Sequence, residues 1–397
     1  MDPRRNPYTP NAGARPPVLV GRDDQLEAFD VLLARLENGY AEQSLLVTGL
    51  RGVGKTVLLG EFRARAEAAG WVAIEAEITR QTDFGTRMAQ LGRRALLHIA
   101  PKARWKDRAR RAAGILKSFT LTVTSDGALT AALDVDPVEG QADSGQFVED
   151  LADLLVALGE AARDHDTGVV LLFDEIQFLS PDEFEALIVA LHRTVQRALP
   201  ITMVGAGLPQ IARLAGEAKS YAERLFTFPH LGSLPEDAAL EALVGPARSL
   251  GVDYGPGAAE AVVAYTQGYP FFLQEYGKIL WDETEEAPID EAAVLAVRPL
   301  VDARLDASFF RVRVERTSRA ELEYLRAMAA LGTGAQNAGD VARRLGKTSA
   351  QVAPLRARLI DKGLLYTPGY GLAAFTVPQF DRFLLRSQPS EGSGEGR

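Results

Sequence analysis

The sequence contains no cysteine, which excludes disulfides and thiolate metal sites together. Only four histidines occur, scattered along 397 residues, and they offer no zinc-ligand spacing. Apolar runs such as Val169–Phe173 fall far short of the ~20 residues that a bilayer-spanning helix needs. The first seventeen residues are rich in proline and polar side chains and hold no apolar run of the signal-peptide kind. These absences point to a cytoplasmic protein with no membrane partner. Positive charge is also scarce. A net charge of −9 argues against tight, non-specific binding to nucleic acid.

What is present suits a soluble globular chain, with 47% hydrophobic and 24% charged residues. At this length about two to three domains are expected. Residues 1–17 read as a disordered tail. Asp23–Leu36 has the apolar spacing of an amphipathic helix, through Leu26, Phe29, Leu32, Leu33 and Leu36. Ser44–Thr48 is a short buried strand, Val57–Ala69 a helix stopped by Gly70, and Trp71–Ile78 a second strand. That order is a βαβ unit and predicts a parallel sheet. Gly168–Phe173 and Ile201–Gly205 supply two further core strands, and Arg224–Phe228 a fifth. An insertion at about 101–145 combines a basic helix, Pro101–Lys117, with a hairpin. Its strands are Ser118–Thr124 and Ala128–Val135, turning at Ser125-Asp126-Gly127. Beyond Pro229 the pattern turns helical, at Pro235–Leu250, Gly257–Gln267 and Pro270–Glu283. The expected division is an α/β core over 18–230, a helical domain over 231–305, a third domain over 306–386 and a mobile tail over 387–397.

The chemistry concentrates at Gly49-Leu50-Arg51-Gly52-Val53-Gly54-Lys55-Thr56, which matches the phosphate-loop pattern G-x-x-x-x-G-K-[ST] in full. An apolar strand precedes it and a helix follows, beginning near Lys55 and Val57. Glycines let backbone N–H groups close around phosphate oxygens, and the helix N-terminus adds partial positive charge. Lys55 would reach the β- and γ-phosphates of a nucleoside triphosphate, and the Thr56 hydroxyl would ligate Mg²⁺. Arg51 either touches phosphate or faces solvent. Val169–Phe173 ends in Asp174-Glu175, which puts two carboxylates at the C-terminal edge of the sheet. Asp174 would hold Mg²⁺ through water, and Glu175 would deprotonate the attacking water. Gln177 could polarise that water, but reads more simply as a polar turn residue.

With these motifs in place, the core resembles the AAA+ P-loop ATPases, within the initiator-like and archaeal-ATPase-like groups that border the STAND NTPases. Val20-Gly21-Arg22 ahead of Asp23–Leu26 resembles the segment that leads into the adenine pocket in that family. Lys219–Phe226 resembles the segment carrying the arginine finger, with Arg224 in its place. Gly268-Tyr269-Pro270 resembles the lid motif whose Tyr-Pro edge packs on the base. The resemblance therefore implies ATP as the nucleotide, and an ATP-dependent homo-oligomer if Arg224 acts on a neighbouring subunit. Two departures stand out. Gly205-Ala206-Gly207 replaces the polar sensor at the end of the fourth strand, and Tyr269-Pro270 stands where many members carry a lid arginine. Both suit a slow switch better than a motor.

The third domain differs in charge. From Asp306 to Arg386 there are 13 Lys/Arg against 7 Asp/Glu, a net +6 that leaves −15 for the rest. Ala338–Leu345, the turn Gly346-Lys347 and Ser349–Lys362 have helix-turn-helix proportions, with Thr348 and Gln351 as a capping box. Leu364–Val377 then resembles the wing of a winged-helix domain. Such a module would offer Gln351, Arg356 and Arg358 to duplex DNA and Lys347 and Lys362 to its phosphates, or would bind protein instead. Pro354 is expected to kink the second helix or displace its start. The basic stretch Lys102, Arg104, Trp105, Lys106, Arg108, Arg110, Arg111 offers a second possible nucleic-acid surface, but reads more simply as a solvated helix face.

Overall fold

The structure is a computed structural model that describes residues 1–81, 83–124 and 135–387. It forms two compact units. The α/β unit comprises Arg22–Gly49 and Gly54–Leu231, while the helical unit comprises Met1–Gly21, Leu50–Val53 and the chain from Gly232 onward.

In the α/β unit the strands are β1 (Ser44–Gly49), β2 (Val72–Glu77), β3 (Val169–Asp174), β4 (Ile201–Gly207), β5 (Phe226–Thr227) and β6 (His230–Leu231). They form one sheet in the order β2-β3-β4-β1-β5, with β6 also pairing with β1. Every pairing is parallel. β1, β3 and β4 are buried along their whole length, as central strands covered on both faces must be, and this is why they read as unbroken apolar runs. The register pairs Thr48 with Gly207, Phe173 with Gly205 and Glu77 with Asp174. Parallel alignment therefore brings the C-terminal ends of β1, β3 and β4 to one edge of the sheet.

Two expectations for this unit change. Ser118–Thr124 is not a strand, because Asp107–Val123 is one continuous helix. Ala109, Ala112, Ala113, Leu116 and Phe119 recur at helical spacing and are all buried. The hydroxyls of Thr120 and Thr122 bond back to the carbonyls of Leu116 and Ser118, so the β-branched residues are absorbed into the helix. Packing has overridden β propensity here. The proposed turn and most of the second hairpin strand lie outside the described residues. In the second change, the fifth strand is confined to Phe226–Thr227, with Ala222–Leu225 forming a single helical turn before it.

The helical unit contains the helices Glu236–Arg248, Ala258–Thr266, Pro270–Glu283 and Glu291–Leu305. A winged-helix domain follows, with helices Arg319–Ala329, Ala338–Arg344 and Ser349–Asp361. Its three-stranded antiparallel sheet has the order β7 (Gln336–Asn337), β9 (Leu372–Phe375), β8 (Leu365–Tyr366). The capping box of Thr348 and Gln351 is formed, and Pro354 is accommodated inside the helix rather than moving its start. A mixed aromatic cluster of Phe309, Phe310, Phe380 and Phe383 joins the domain to the segment before it, with stacked rings of Phe310 and Phe383 5.2 Å apart.

The N-terminal segment corrects the sequence reading: it is packed within the helical unit instead of forming a free tail. Tyr8 is only 2% exposed and lies so close to Gly277 that a Cβ there would meet its ring at 2.6 Å. The Tyr8 and Tyr254 hydroxyls bond at 2.9 Å, the Asn6 amide reaches the Lys278 carbonyl, and the Trp281 indole N–H donates to the Asp2 carbonyl. One buried aromatic inside a polar, proline-rich stretch is too weak a periodic signal to see in sequence. Tyr8→Ala is expected to cost about 3–5 kcal/mol, as for other buried aromatics cut to alanine. Denaturant unfolding measures this, and a truly free tail would give no change.

Candidate nucleotide site

The phosphate loop leaves β1 at Gly49 and ends on the helix Lys55–Ala68. Gly54 caps that helix at φ +94°, a conformation that residues with a Cβ rarely tolerate. No side chain caps the helix, and its first turn carries no acid. The leading N–H groups therefore have no carboxylate competing for them, as an anion site requires. Lys55 is buried, and its ammonium donates to the Gly49 carbonyl at 3.0 Å, lying back across the loop.

Beside it the Thr56 hydroxyl donates to Asp174 Oδ2 at 2.6 Å, and the Glu175 N–H donates to Asp174 Oδ1 at 2.8 Å. Both oxygens of Asp174 are thus oriented. A hydroxyl paired with an oriented carboxylate is an oxygen donor set of the kind Mg²⁺ takes, its remaining ligands coming from phosphate and water. Glu175 leaves the strand in the left-handed region, at φ +53°. Its carboxylate accepts from the Gln177 amide. Arg22, buried, immediately precedes the helix Asp23–Glu37. Arg224 is exposed and makes no ion pair among the described residues, since Glu217 is taken by Arg213 at 2.6 Å.

The remaining candidates belong to the helical unit. Gly21, which follows Val20, has φ +66° and packs so tightly that a Cβ would meet Ala238 at 2.9 Å. The loop tip, Leu50–Val53, is held by backbone bonds. The Arg51 N–H donates to the Thr376 carbonyl of the winged helix at 3.2 Å. The Tyr269 hydroxyl donates to the Arg51 carbonyl, and the Phe271 N–H donates to the Gly52 carbonyl at 3.3 Å. Tyr269 is buried, and Pro270 begins the next helix. The Arg51 guanidinium, neither free in solvent nor waiting for phosphate alone, lies against Gly363, where a Cβ would come within 2.5 Å of it.

Sequence reasoning missed Arg313. Its guanidinium stacks over Phe309 at 3.9 Å, and Phe309 in turn stacks on Phe271 at 4.5 Å. Burial, and then the charge of nearby Arg51, push its pKa down to about 10. Its ring partner Phe309 is only four residues away, but Arg51 and Phe271, which complete its surroundings, lie far away along the chain.

The DNA-facing assignments fare differently. Arg356 bonds the Leu372 carbonyl at 2.6 Å and the Thr367 hydroxyl at 3.2 Å. Arg358 and Lys362 both bond Glu321, at 3.2 and 2.6 Å. Gln351 is engaged in the capping box, while Lys347 is exposed. In the basic stretch Trp105 is buried, with its indole N–H on the Ala100 carbonyl.

Residues 18–204 match the family described as the AAA ATPase domain, and residues 307–384 match one described as a domain of unknown function. Residues 18–204, just under half of the chain, are thus similar to an AAA ATPase domain. It is similar to a Walker-type ATPase of Pyrococcus abyssi at 16% identity and a TM-score of 0.52, covering 94% of this chain and 97% of that one. It is also similar to the Orc1 protein of Aeropyrum pernix, solved in complex with DNA, at 16% identity and a TM-score of 0.47 over 96% of each chain. The RuvB Holliday junction branch migration motor of Thermotoga maritima is similar at 17% identity and a TM-score of 0.43, covering 93% of this chain and 96% of that one. At 16% identity the likeness to the Pyrococcus abyssi protein concerns the fold alone. None of the curated proteins compared matches the chain. No helix among the described residues is long and apolar enough to cross a membrane.

Glu321 gives a test of the winged helix. Burial pushes its carboxyl up, but bonds from Lys362, the Ser318 N–H and Arg358 outweigh this and hold it at about 2, against an ordinary 4.5. Its folded value is depressed, so its stabilisation is complete above pH 4.5 and is lost as pH falls toward 2. Glu321→Gln is expected to cost about 2 kcal/mol at neutral pH, less than a fully buried pair because Arg358 and Lys362 are partly solvated. In urea unfolding, the gap between variant and wild type should close as pH falls through that window.

Proposed function

We propose that the protein is an ATP-binding, slowly ATP-hydrolysing switch that couples nucleotide state to its winged-helix domain. One observation carries this reading: the Arg51 N–H, inside the phosphate loop, is bonded to the Thr376 carbonyl of the winged helix. A rearrangement of the loop around a triphosphate that broke this bond would link loop occupancy to the winged helix.

Within the loop, backbone N–H groups and Lys55 would bind the β- and γ-phosphates, and Thr56 and Asp174 would hold Mg²⁺. Bound there, the ion neutralises charge on the transferred phosphoryl group. Val20, Gly21, Arg22, Tyr269 and Pro270 would frame the base. Glu175 accepts the proton of the attacking water. Arg224, exposed and without an acidic partner among the described residues, suits a role on the ATP of a neighbouring subunit.

The domain's output is either duplex DNA or protein. The internal bonds of Arg356, Arg358 and Lys362 favour protein, since three of the four cations assigned to DNA already serve the fold. Duplex DNA binding should then be weak and only shallowly salt-dependent, whereas a steep negative salt slope would restore the DNA reading.

Hydrogen exchange and light scattering test the switch. Glu175→Gln is expected to lower kcat at least ~100-fold while keeping ATP bound. In that variant, saturating ATP should alter amide exchange across 363–377 several-fold and should drive assembly. Lys55→Ala, unable to hold the triphosphate, should show neither effect. Exchange across 363–377 that ignores ATP would sink the coupling, and a monomer under all conditions would remove the trans role of Arg224.

A further inference from the structure

Gln177 is tied at both ends of its amide. Its Nε2 donates to the Glu175 carboxylate, and its Oε1 accepts from the Leu208 N–H at 3.2 Å. Only one orientation of the amide satisfies both partners, because a carboxylate can only accept and a backbone N–H can only donate. The Gln177 side chain thus bridges the catalytic end of β3 and the first residue beyond β4.

The surrounding backbone is shaped to admit it. Glu175 sits in the left-handed region at φ +53°, and its carbonyl accepts from the Phe178 N–H at 3.1 Å. That short turn brings Gln177 back over Glu175. On the other side a Cβ at Gly207 would fall 2.1 Å from Gln177 Oε1, so any larger residue at the end of β4 would push the amide away. The glycine there does not leave the position empty, since its space is filled by the amide of Gln177 together with the Ile211 side chain, whose Cδ1 would lie 2.3 Å from a Cβ.

We propose that Gln177 is a positioning residue for ATP hydrolysis: it fixes the Glu175 carboxylate for water activation and ties its direction to the end of β4. This rests on Glu175 being the base. With Glu175 Oε2 engaged by the amide, Oε1 is presented to water in a set direction. A neutral amide does this without adding a charge beside the carboxylate. Positioning of this kind raises the rate without contributing to nucleotide affinity, because neither end of the amide is spent on phosphate.

The test uses the full chain with ATP and Mg²⁺, comparing wild type, Gln177→Leu, Gln177→Met, Glu175→Gln and the double variant Glu175→Gln/Gln177→Leu. Both Gln177 variants should lower kcat by ~10- to 100-fold, with KM and ATP affinity within about twofold. Their thermal midpoints should stay within a few degrees of wild type. The double variant should be no slower than Glu175→Gln alone, because Gln177 acts only through that carboxylate. A merely structural role would instead lower stability and make the two losses multiply. Wild-type or raised kcat in both Gln177 variants overturns the proposal, as do multiplied losses. If Glu175→Gln itself keeps wild-type turnover, the assignment of Glu175 fails first, and that outcome is distinct from failure of Gln177 alone.

Discussion

The hydrogen bond from the Thr56 hydroxyl to Asp174 joins the first turn of a helix to the last residue of a strand more than a hundred positions later. It can form only if β1 and β3 run parallel with their C-terminal ends level, and the sheet order β2-β3-β4-β1 supplies that alignment. The apolar strands are therefore the means by which a hydroxyl and a carboxylate meet. Phe173 and Leu172 are fully buried, and the strand stops being apolar at Asp174, the position where the sheet edge opens. Packing against water and the chemistry of a hard cation place their demands on adjacent residues of one strand.

The loop that leaves β1 answers to a second set of partners. Its glycines give it a shape that suits phosphate, but its tip is also bonded by Tyr269, Phe271 and the Thr376 carbonyl within the helical unit. Each of these bonds uses loop backbone rather than a replaceable side chain, apart from the Tyr269 hydroxyl. Arg51 and Arg313 add two cations at the tip with no acid bonded to either among the described residues, and burial first, then the charge of Arg51, lowers the Arg313 pKa.

Much of this was legible in the sequence, for definite reasons. Three of the core strands, β1, β3 and β4, stood out because strands buried on both faces leave largely apolar runs. The phosphate loop stood out because each of its residues is constrained locally, by glycine conformation, helix start or reach. The capping box of Thr348 and Gln351 is similarly local and was found. What failed to show was non-local. Phe119–Val123 has the composition of a strand and became helix because Phe119 could be buried against neighbouring helices. Tyr8 looked like part of a tail because its contacts lie at Leu243, Tyr254 and Gly277. Arg356, Arg358 and Lys362 looked like a nucleic-acid surface because their internal partners, Glu321 and the wing backbone, are set by the fold.

The sequence by itself determined the α/β P-loop class and pointed to the eight-residue loop pattern and the acidic pair at the end of β3, because those features are written in short spacings and in the burial pattern of single elements. Only the tertiary structure decided what the side chains around them do. Gln177 read as an ordinary turn residue until β4 was laid beside β3, and Gly205-Ala206-Gly207 read as a loss until the amide of Gln177 was seen to need the space at Gly207. The physical reason is the same in each case. A hydrogen bond is satisfied by whatever group the fold brings within about 3 Å, and sequence spacing says little about which group that will be.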